Sequence, residues 1–146
     1  MRKLLLLLMA LLTLNVSAIT VEIDGVRYEL QSDGNVAELK KVPSDMLGPF
    51  VIPEYVEYEG AKYVVTTIGP SALAGCKELV SVTIPNTVKS IEREAFSDCS
   101  ALTIVNIPNS LTTIGYLAFS GCRSLTSMTI PNSVTFIGGR AFWQCI

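Results

Sequence analysis

The chain has 146 residues, with 11 basic and 13 acidic side chains and no histidine, so its net charge is −2. This mildly acidic balance argues against nucleic acid or anionic lipid as a partner. Without histidine, neither a Ser-His-Asp nor a Cys-His catalytic arrangement can form. We therefore expect one domain with no catalytic residues, no metal and no cofactor.

The first 18 residues have the pattern of a secretory signal peptide. A basic start at Arg2 and Lys3 precedes an apolar run from Leu4 to Leu14 and a small-residue cleavage site ending at Ala18. This run is too short to span a bilayer as a helix, although an N-terminal membrane anchor is the alternative interpretation. Removing it leaves nine basic against 13 acidic residues, a net charge of −4. We expect a secreted or cell-surface protein with no transmembrane segment after signal removal.

Residues 19–46 predict an N-terminal β-hairpin cap. Apolar and polar residues alternate on both sides of Asp24 and Gly25, a strong two-residue turn signal, which places strands at about 19–23 and 26–30. The segment 36–42 is interpreted as a weak strand or one helical turn. Because an isolated hairpin is marginal in water, we expect this one to pack against the first of the repeats that follow.

Residues 47–67 are interpreted as a degenerate first repeat with an inserted hairpin. The segment 47–53 matches the later segment 79–85 position by position, and nine extra residues precede Ile68. Tyrosines concentrate in this insertion, where two β-rich runs flank Glu59 and Gly60. Cross-strand packing and a small aromatic contact surface are both open as explanations for Tyr55, Tyr58 and Tyr63.

From Ile68 the chain repeats every 23 residues, as units 68–90, 91–113, 114–136 and a partial unit 137–146. A period of 20–29 residues with apolar residues at fixed positions predicts a solenoid. A short strand is expected at 81–84 and the equivalent positions, ended by proline. Segments such as 92–99 are expected to form one to two helical turns, giving an α/β repeat. Because Gln144 occupies the position of Gly75, a strictly left-handed backbone is not required there.

The four cysteines fall at one position of successive units, so they should stack in a column. Coils spaced about 4.8 Å apart lie within the Cα separation that a disulfide accepts, but parallel side-chain directions disfavour a bridge. We interpret them as buried thiols that fill the core, with a disulfide or a metal site as alternatives. The sequence has neither CxxC spacing nor a histidine, which argues against a zinc site. The column comprises Cys76, Cys99, Cys122 and Cys145.

The recurring pattern I-x-x-x-A-F-x-x-C-x-x-L-x-x-V-x-I-P-N-S-V-T-x resembles the BspA-like bacterial surface leucine-rich repeat proteins over roughly 47–146. The resemblance implies a leucine-rich repeat solenoid with a parallel sheet. It also implies adhesion to an extracellular glycoprotein, such as a host matrix protein, or to a cell-surface protein. It carries over no catalytic residues. Where many such repeats hold an asparagine ladder, this chain has Thr87, Ser110 and Ser133, which can make similar but weaker backbone bonds.

The outward strand positions form a small, neutral grid that is the candidate binding face. Threonine is also simply a favourable strand residue, which is the structural explanation of the same grid. A face spanning some 15–20 Å is small beside the roughly 800 Å² of a typical interface, so we expect weak or multivalent adhesion. The grid comprises Val80, Ser81, Thr83, Thr103, Ile104, Asn106, Thr126, Ser127 and Thr129.

The partial unit 137–146 predicts an open end at Phe142 and Trp143, through which the chain could self-associate. The cluster of Glu92, Glu94 and Asp98 is interpreted as a solvated face rather than a catalytic carboxylate pair. The sequence thus predicts a non-enzymatic, exported module for protein–protein recognition or adhesion. The alternative is a non-binding N-terminal capping fragment of a longer surface repeat array.

Overall fold

The computed structural model describes residues 18–146, which form strands and turns and contain no helix. The predicted signal peptide, residues 1–18, lies outside the described residues except for Ala18. The strands in chain order are β1 (Ala18–Ile23), β2 (Val26–Gln31), β3 (Val36–Lys41), β4 (Gly48–Val51), β5 (Tyr55–Tyr58), β6 (Ala61–Ile68), β7 (Leu79–Thr83), β8 (Ser90–Ile91), β9 (Ile104–Asn106), β10 (Thr113–Ile114) and β11 (Phe136–Ile137).

The larger sheet has the strand order β1-β2-β3-β6-β8-β10-β11, with β5 paired to β6. Strands β1, β2 and β3 are antiparallel neighbours, and β5 and β6 form an antiparallel hairpin. From β3 onward the path is parallel, and Ile68, Ile91, Ile114 and Ile137 are register partners in succession. Each 23-residue unit is therefore one coil of a solenoid, which confirms the prediction of short parallel strands.

The smaller sheet has the order β4-β7-β9 and is parallel throughout. Phe50 of β4 pairs with Val82 of β7, which pairs with Val105 of β9. The position-by-position match of 47–53 to 79–85 does not extend to Leu47, which is 70% exposed because the register shifts after Gly48. A strand was also expected at 127–130, and that expectation is wrong because these residues form none.

The segment after each isoleucine is a run of turns, so the predicted one-to-two-turn helices are wrong. The N–H of Ala72 donates to the carbonyl of Gly69 within its own coil at 3.2 Å. The N–H of the next residue, Leu73, donates instead to the carbonyl of Ala95 in the following coil at 2.8 Å. The same alternation recurs in the next two units. Since every second N–H bonds to a neighbouring coil, the i→i−4 bonds of an α-helix cannot form.

Two positions of this turn segment are left-handed in every unit. Gln144 is left-handed like the glycines at its position, so the inference that this backbone is not required there is wrong. Non-glycine residues there cost about 1–3 kcal/mol each, which the bonds between coils offset. At Gly121 the Asp98 side chain occupies the space that a Cβ would need, so close approach also favours glycine. The first position has φ of 77° at Gly75, 59° at Asp98, 76° at Gly121 and 60° at Gln144; the second has φ of 54–57° at Ser71, Glu94, Leu117 and Arg140.

One hydrophobic core runs through the N-terminal strands and the coils. Leu39 of β3 and Leu73 of the first full coil are both fully buried in it. Along the solenoid the core contains an aromatic column, in which the rings of Phe96 and Phe119 stack with centroids 4.9 Å apart. The ring of Phe142 continues this column at 5.5 Å from Phe119. The core therefore holds the coils in register from inside, while the sheets hydrogen-bond them at the edges.

Candidate functional site

The predicted binding face lies on the outer surface of β7 and β9 and of the segment 126–129. Val82 and Val105 point into the core, and the residues on either side of them point out. Register pairing places Ser81 beside Ile104 and Thr83 beside Asn106. Eight of the nine predicted residues are exposed and Ser81 is half-buried, and the largest apolar contribution is Ile104, which is 64% exposed. The face is uncharged.

Asn106 has a structural role on this face that the sequence did not reveal. Its side-chain oxygen accepts the N–H of Ile84 at 3.0 Å, and its side-chain nitrogen donates to the Ile84 carbonyl at 3.3 Å. The amide thus satisfies both backbone groups of a residue in the preceding coil. Thr83 and Thr129 occupy the same position of the neighbouring units, and a threonine side chain has one polar atom in place of the two that make this paired contact.

Thr103 is a second face residue that is bound to its neighbouring coil. Its backbone N–H donates to the carbonyl of Val80 at 2.9 Å, and its hydroxyl donates to the same oxygen at 3.1 Å. The side-chain polar groups of Thr103 and Asn106 therefore form hydrogen bonds between coils. The polar groups left for a ligand on β7 and β9 are the hydroxyls of Ser81 and Thr83.

A groove of about 490 Å³ separates β9 from the segment 127–129. It exists because this segment, unlike β9, does not pair with the strand before it. Ile104 and Asn106 line one wall, and Ser127 and Thr129 line the other. The predicted face is thus a continuous sheet over two coils and a cleft at the third.

The predicted open end is an apolar surface beside a small cavity. The cavity has a volume of about 270 Å³, and Phe142 lines it together with Leu125, Met128 and Ile130. Trp143 lies nearby in sequence and is 53% exposed, with the Arg140 guanidinium 6.0 Å from its ring centroid. Leu125 is buried, Met128, Ile130 and Phe142 are partly buried against the core, and Trp143 is the exposed aromatic residue of this end.

The four cysteines are free thiols, three of them buried and Cys145 half-buried. Burial raises the pKa of the Cys76 thiol to about 11 and also raises that of Cys145. Both thiols therefore stay protonated at neutral pH and are poor nucleophiles or metal ligands. From Cys99 onward each sulfur donates to a carbonyl of the preceding coil, so the column hydrogen-bonds as well as fills space.

The inserted hairpin divides its tyrosines between packing and exposure. Tyr58 and Tyr63 are half-buried and pack against the core. Tyr55 is 44% exposed, and the ammonium of Lys62 lies 4.2 Å from the centroid of its ring. Packing against the core accounts for the first two, whereas Tyr55 presents an aromatic ring at the surface.

The other polar residues singled out in the sequence make local contacts. Glu92 accepts the hydroxyl of Ser90, and Glu94 pairs with Arg93 at 2.9 Å. Of the positions expected to replace an asparagine ladder, Ser110 alone makes such a bond, donating to the Val88 carbonyl at 2.6 Å. The hydroxyls of Thr87 and Ser133 are buried with no hydrogen-bond partner among residues 18–146.

Comparison with protein families decides the classification. The profile described as "BspA type Leucine rich repeat region (6 copies)" matches residues 61–146. The chain belongs to the BspA-type leucine-rich repeat family. This confirms the resemblance predicted from the 23-residue pattern. A comparison with curated proteins gives no match. Among residues 18–146 of this BspA-type chain, no helix is long and apolar enough to cross a membrane.

Solved structures of leucine-rich repeat proteins share this fold. A leucine-rich repeat protein from Bacteroides ovatus is 35% identical, with a TM-score of 0.75 over 86% of this chain and 33% of its own. One from Bacteroides capillosus is 32% identical, with a TM-score of 0.73 over 82% of this chain and 97% of its own. A leucine-rich cell surface protein from Faecalibacterium prausnitzii is 32% identical, with a TM-score of 0.74 over 85% of this chain and 34% of its own. The BspA-type chain therefore spans about a third of the length of the first and third.

Proposed function

We propose that this BspA-type chain is an exported module for protein–protein recognition, and that it adheres through the outer face of β7, β9 and the segment 126–129. The observation that carries the proposal is the register of the coils, which sets Ser81 beside Ile104 and Thr83 beside Asn106 on one uncharged, exposed surface. Leucine-rich repeat families suit this role because stacked coils present extended binding surfaces. The proposal includes no reaction, cofactor or nucleic-acid ligand.

The proposed ligand is an extracellular glycoprotein, such as a host matrix protein, or a cell-surface protein. The signal-peptide pattern of residues 1–18 supports export, and the similar protein from Faecalibacterium prausnitzii is described as a cell surface protein. These two observations together support the proposed secreted or cell-surface location. Because the outer face covers three coils spaced about 4.8 Å apart, one copy is small for strong binding, so we propose adhesion by many weak contacts.

The test is binding of the chain to an immobilised extracellular matrix glycoprotein, measured by titration with and without multivalent display. Ile104→Glu places a charge at the centre of the proposed face, and we expect it to weaken binding at least fivefold. Thr20→Glu is the control because it adds the same charge at an exposed position on β1. Saturable binding that Ile104→Glu leaves unchanged would overturn the proposed face.

A second candidate function is capping of a longer repeat array by the N-terminal strands. The observation that favours it is the docking of β3 onto the first coil, where Val36–Leu39 pair in parallel with Val64–Ile68. The N–H of Val42 also donates to the Ala72 carbonyl at 2.8 Å. A cap of this kind covers a sheet edge that would otherwise be free to pair with other chains. Absence of saturable binding to any matrix glycoprotein in the titration, with folding intact, favours this capping role.

A further inference from the structure

A cleft of about 450 Å³ opens between the first hairpin, β4 and the inserted hairpin, on the N-terminal part of the molecule. Its walls are mostly apolar or aromatic, and two carboxylates, those of Asp24 and Glu57, also line it. Cavities of 300–1,000 Å³ with apolar walls and a few polar groups are the usual form of a ligand pocket. The wall residues that matter here are Ile23, Val26, Tyr28, Phe50, Tyr55 and Val56.

The charge of the molecule is concentrated on the part that contains this cleft. Residues 19–67 carry nine acidic and four basic side chains, a net charge of −5. Residues 68–146 carry four acidic and five basic side chains, a net charge of +1. Because low-dielectric walls focus the field of nearby charges, a cleft in the acidic part attracts cations.

The two carboxylates of the cleft differ in how they are neutralised. Glu57 lies 3.7 Å from the ammonium of Lys62, and both side chains are more than 60% exposed, so this pair is weak. Asp24 has no salt-bridge partner among residues 18–146. The Asp24 carboxylate is therefore available to an external cation.

Two tyrosines show that the cleft is suited to positive charge. Burial and the negative charge of Asp24 raise the pKa of Tyr28 to about 12, so the field of Asp24 reaches the cleft wall. The ring of Tyr55 already carries the Lys62 ammonium at 4.2 Å, which is the geometry of a cation–π contact. The cleft thus combines an apolar surface, negative charge and an exposed aromatic ring.

We propose that this cleft binds a lysine or arginine side chain of a protein partner. The aliphatic stem of such a side chain packs on Val26, Phe50 and Val56, while its cationic head lies near Asp24 and Glu57. An uncharged peptide fits less well, because it would cover the carboxylates without pairing them. The site is separate from the outer face of β7 and β9, and it goes beyond the function proposed for that face.

The experiment follows backbone and tyrosine NMR signals during titration with three short peptides. The probes are acetyl-Gly-Leu-Lys-Leu-Gly-amide, the same peptide with arginine, and the same peptide with acetyl-lysine. We expect the lysine or the arginine peptide to shift the signals of Tyr28 and Tyr55 saturably. Binding should be at least fivefold weaker for the acetyl-lysine peptide, and weaker at high salt because exposed charges are screened.

Charge-neutral variants locate the site. Asp24→Asn preserves the turn, because asparagine tolerates the φ of 51° found there, and Glu57→Gln keeps the size of the side chain. We expect the double variant to weaken binding of the basic peptide at least fivefold. The control is Glu54→Gln with Glu59→Gln, which removes the same charge from exposed positions of the same hairpin outside the cleft wall.

The outcomes are distinct from those that test the outer face. Loss of peptide binding in Asp24→Asn/Glu57→Gln, with the control unchanged, supports the cleft. Equal binding of the lysine, arginine and acetyl-lysine peptides overturns it, as does a complete lack of shifts at Tyr28 and Tyr55. Ile104→Glu should leave peptide binding unchanged, so failure of matrix adhesion does not count against the cleft.

Discussion

The thiol of Cys99 lies 3.1 Å from the carbonyl oxygen of Leu73 in the preceding coil, and later cysteines repeat this contact 26 residues apart. The same Leu73 oxygen accepts the N–H of Cys76 at 3.2 Å. Both of its lone pairs are therefore used, one within the coil and one between coils. The cysteine column supplies a hydrogen bond where a purely apolar side chain would leave part of a buried carbonyl unpaired.

Replacing Cys99 tests whether the thiol acts as a donor or only as a filler. Cys99→Ala removes the S–H and leaves a small cavity, so we expect the free energy of unfolding to fall by about 1–3 kcal/mol. Cys99→Ser keeps a donor, so it should cost less than Cys99→Ala. Urea denaturation measures both values.

The half-buried Cys145 provides the comparison for this pair of variants. The alanine and serine substitutions there should each cost less, because solvent can satisfy the Phe119 carbonyl that Cys145 contacts at 3.2 Å. A serine variant at Cys99 that is less stable than the alanine variant would contradict the donor role. The column would then be apolar filling, as the sequence suggested.

Alkaline pH should destabilise the fold through Cys76. Its pKa is raised by burial from 9.0 to about 11, so the folded chain holds the proton more tightly than the unfolded chain. The stabilisation is complete below pH 9 and is lost as pH rises from 9 to 11, by about 2–3 kcal/mol. Denaturation midpoints measured across this window check the slope. Cys76→Ala should flatten it, and an unchanged slope in that variant would assign the effect to other groups.

The Asn106 amide ties β9 to the coil before it through both backbone groups of Ile84. Asn106→Thr removes the paired contact with Ile84, so we expect the free energy of unfolding to fall by about 1–2 kcal/mol. Thr129→Asn is the reciprocal change, because residue 129 stands in the same relation to Ile107 as Asn106 does to Ile84. It should raise stability by about 0.5–1 kcal/mol and slow amide exchange in residues 127–130.

Equal stability of Thr129→Asn and the parent chain, with fast exchange in 127–130, would show that this amide does not control pairing. Thr83→Ser is a control for the Thr129 substitution, because it changes the same repeat position in the first unit without adding an amide. We expect its effect to lie within about 0.5 kcal/mol of zero.

The features of the fold that follow from the 23-residue repeat could be predicted from the sequence. The spacing of Ile68, Ile91, Ile114 and Ile137 fixes the coil length, and in-register strands follow because equal coils stack equal residues. The outward direction of Ile104 and Thr83 follows from alternation along a strand. These inferences need no knowledge of which polar group bonds to which.

The parts that depend on bonds between coils could not be predicted. Segments such as 92–99 are compatible with a helix in isolation, and the choice of turns is made by N–H groups that find carbonyls 22 residues away, as Leu73 finds Ala95. Gln144 is left-handed for the same reason, since the coil imposes its backbone. Asn106 has a side-chain amide where Thr83 and Thr129 have a hydroxyl, and the repeat pattern does not predict the contact that this amide makes. The cleft of Asp24 and Glu57 joins two hairpins that are distant in sequence.

We expect the chain to self-associate through Phe142 and Trp143, because the aromatic column is covered on only one side of Phe142. Phe142 stacks on Phe119 on one side, and its other side faces a cavity of about 270 Å³ that Leu125, Met128 and Ile130 also line. Apolar surface of this kind contributes about 25 cal/mol per Å² when it is removed from water. We expect residues 18–146 to form dimers at high concentration, detected by light scattering across a dilution series.

Substitutions at exposed aromatic residues distinguish this contact from non-specific hydrophobic association. Trp143→Ser should shift the monomer–dimer equilibrium towards monomer, because Trp143 is 53% exposed beside the cavity. Tyr55→Ser is the matched control, since Tyr55 is 44% exposed on the inserted hairpin. A chain that stays monomeric at millimolar concentration would contradict the prediction. If Tyr55→Ser disrupts the dimer and Trp143→Ser does not, the contact lies on the N-terminal strands. Dimerisation there would compete with binding of a basic peptide in the cleft.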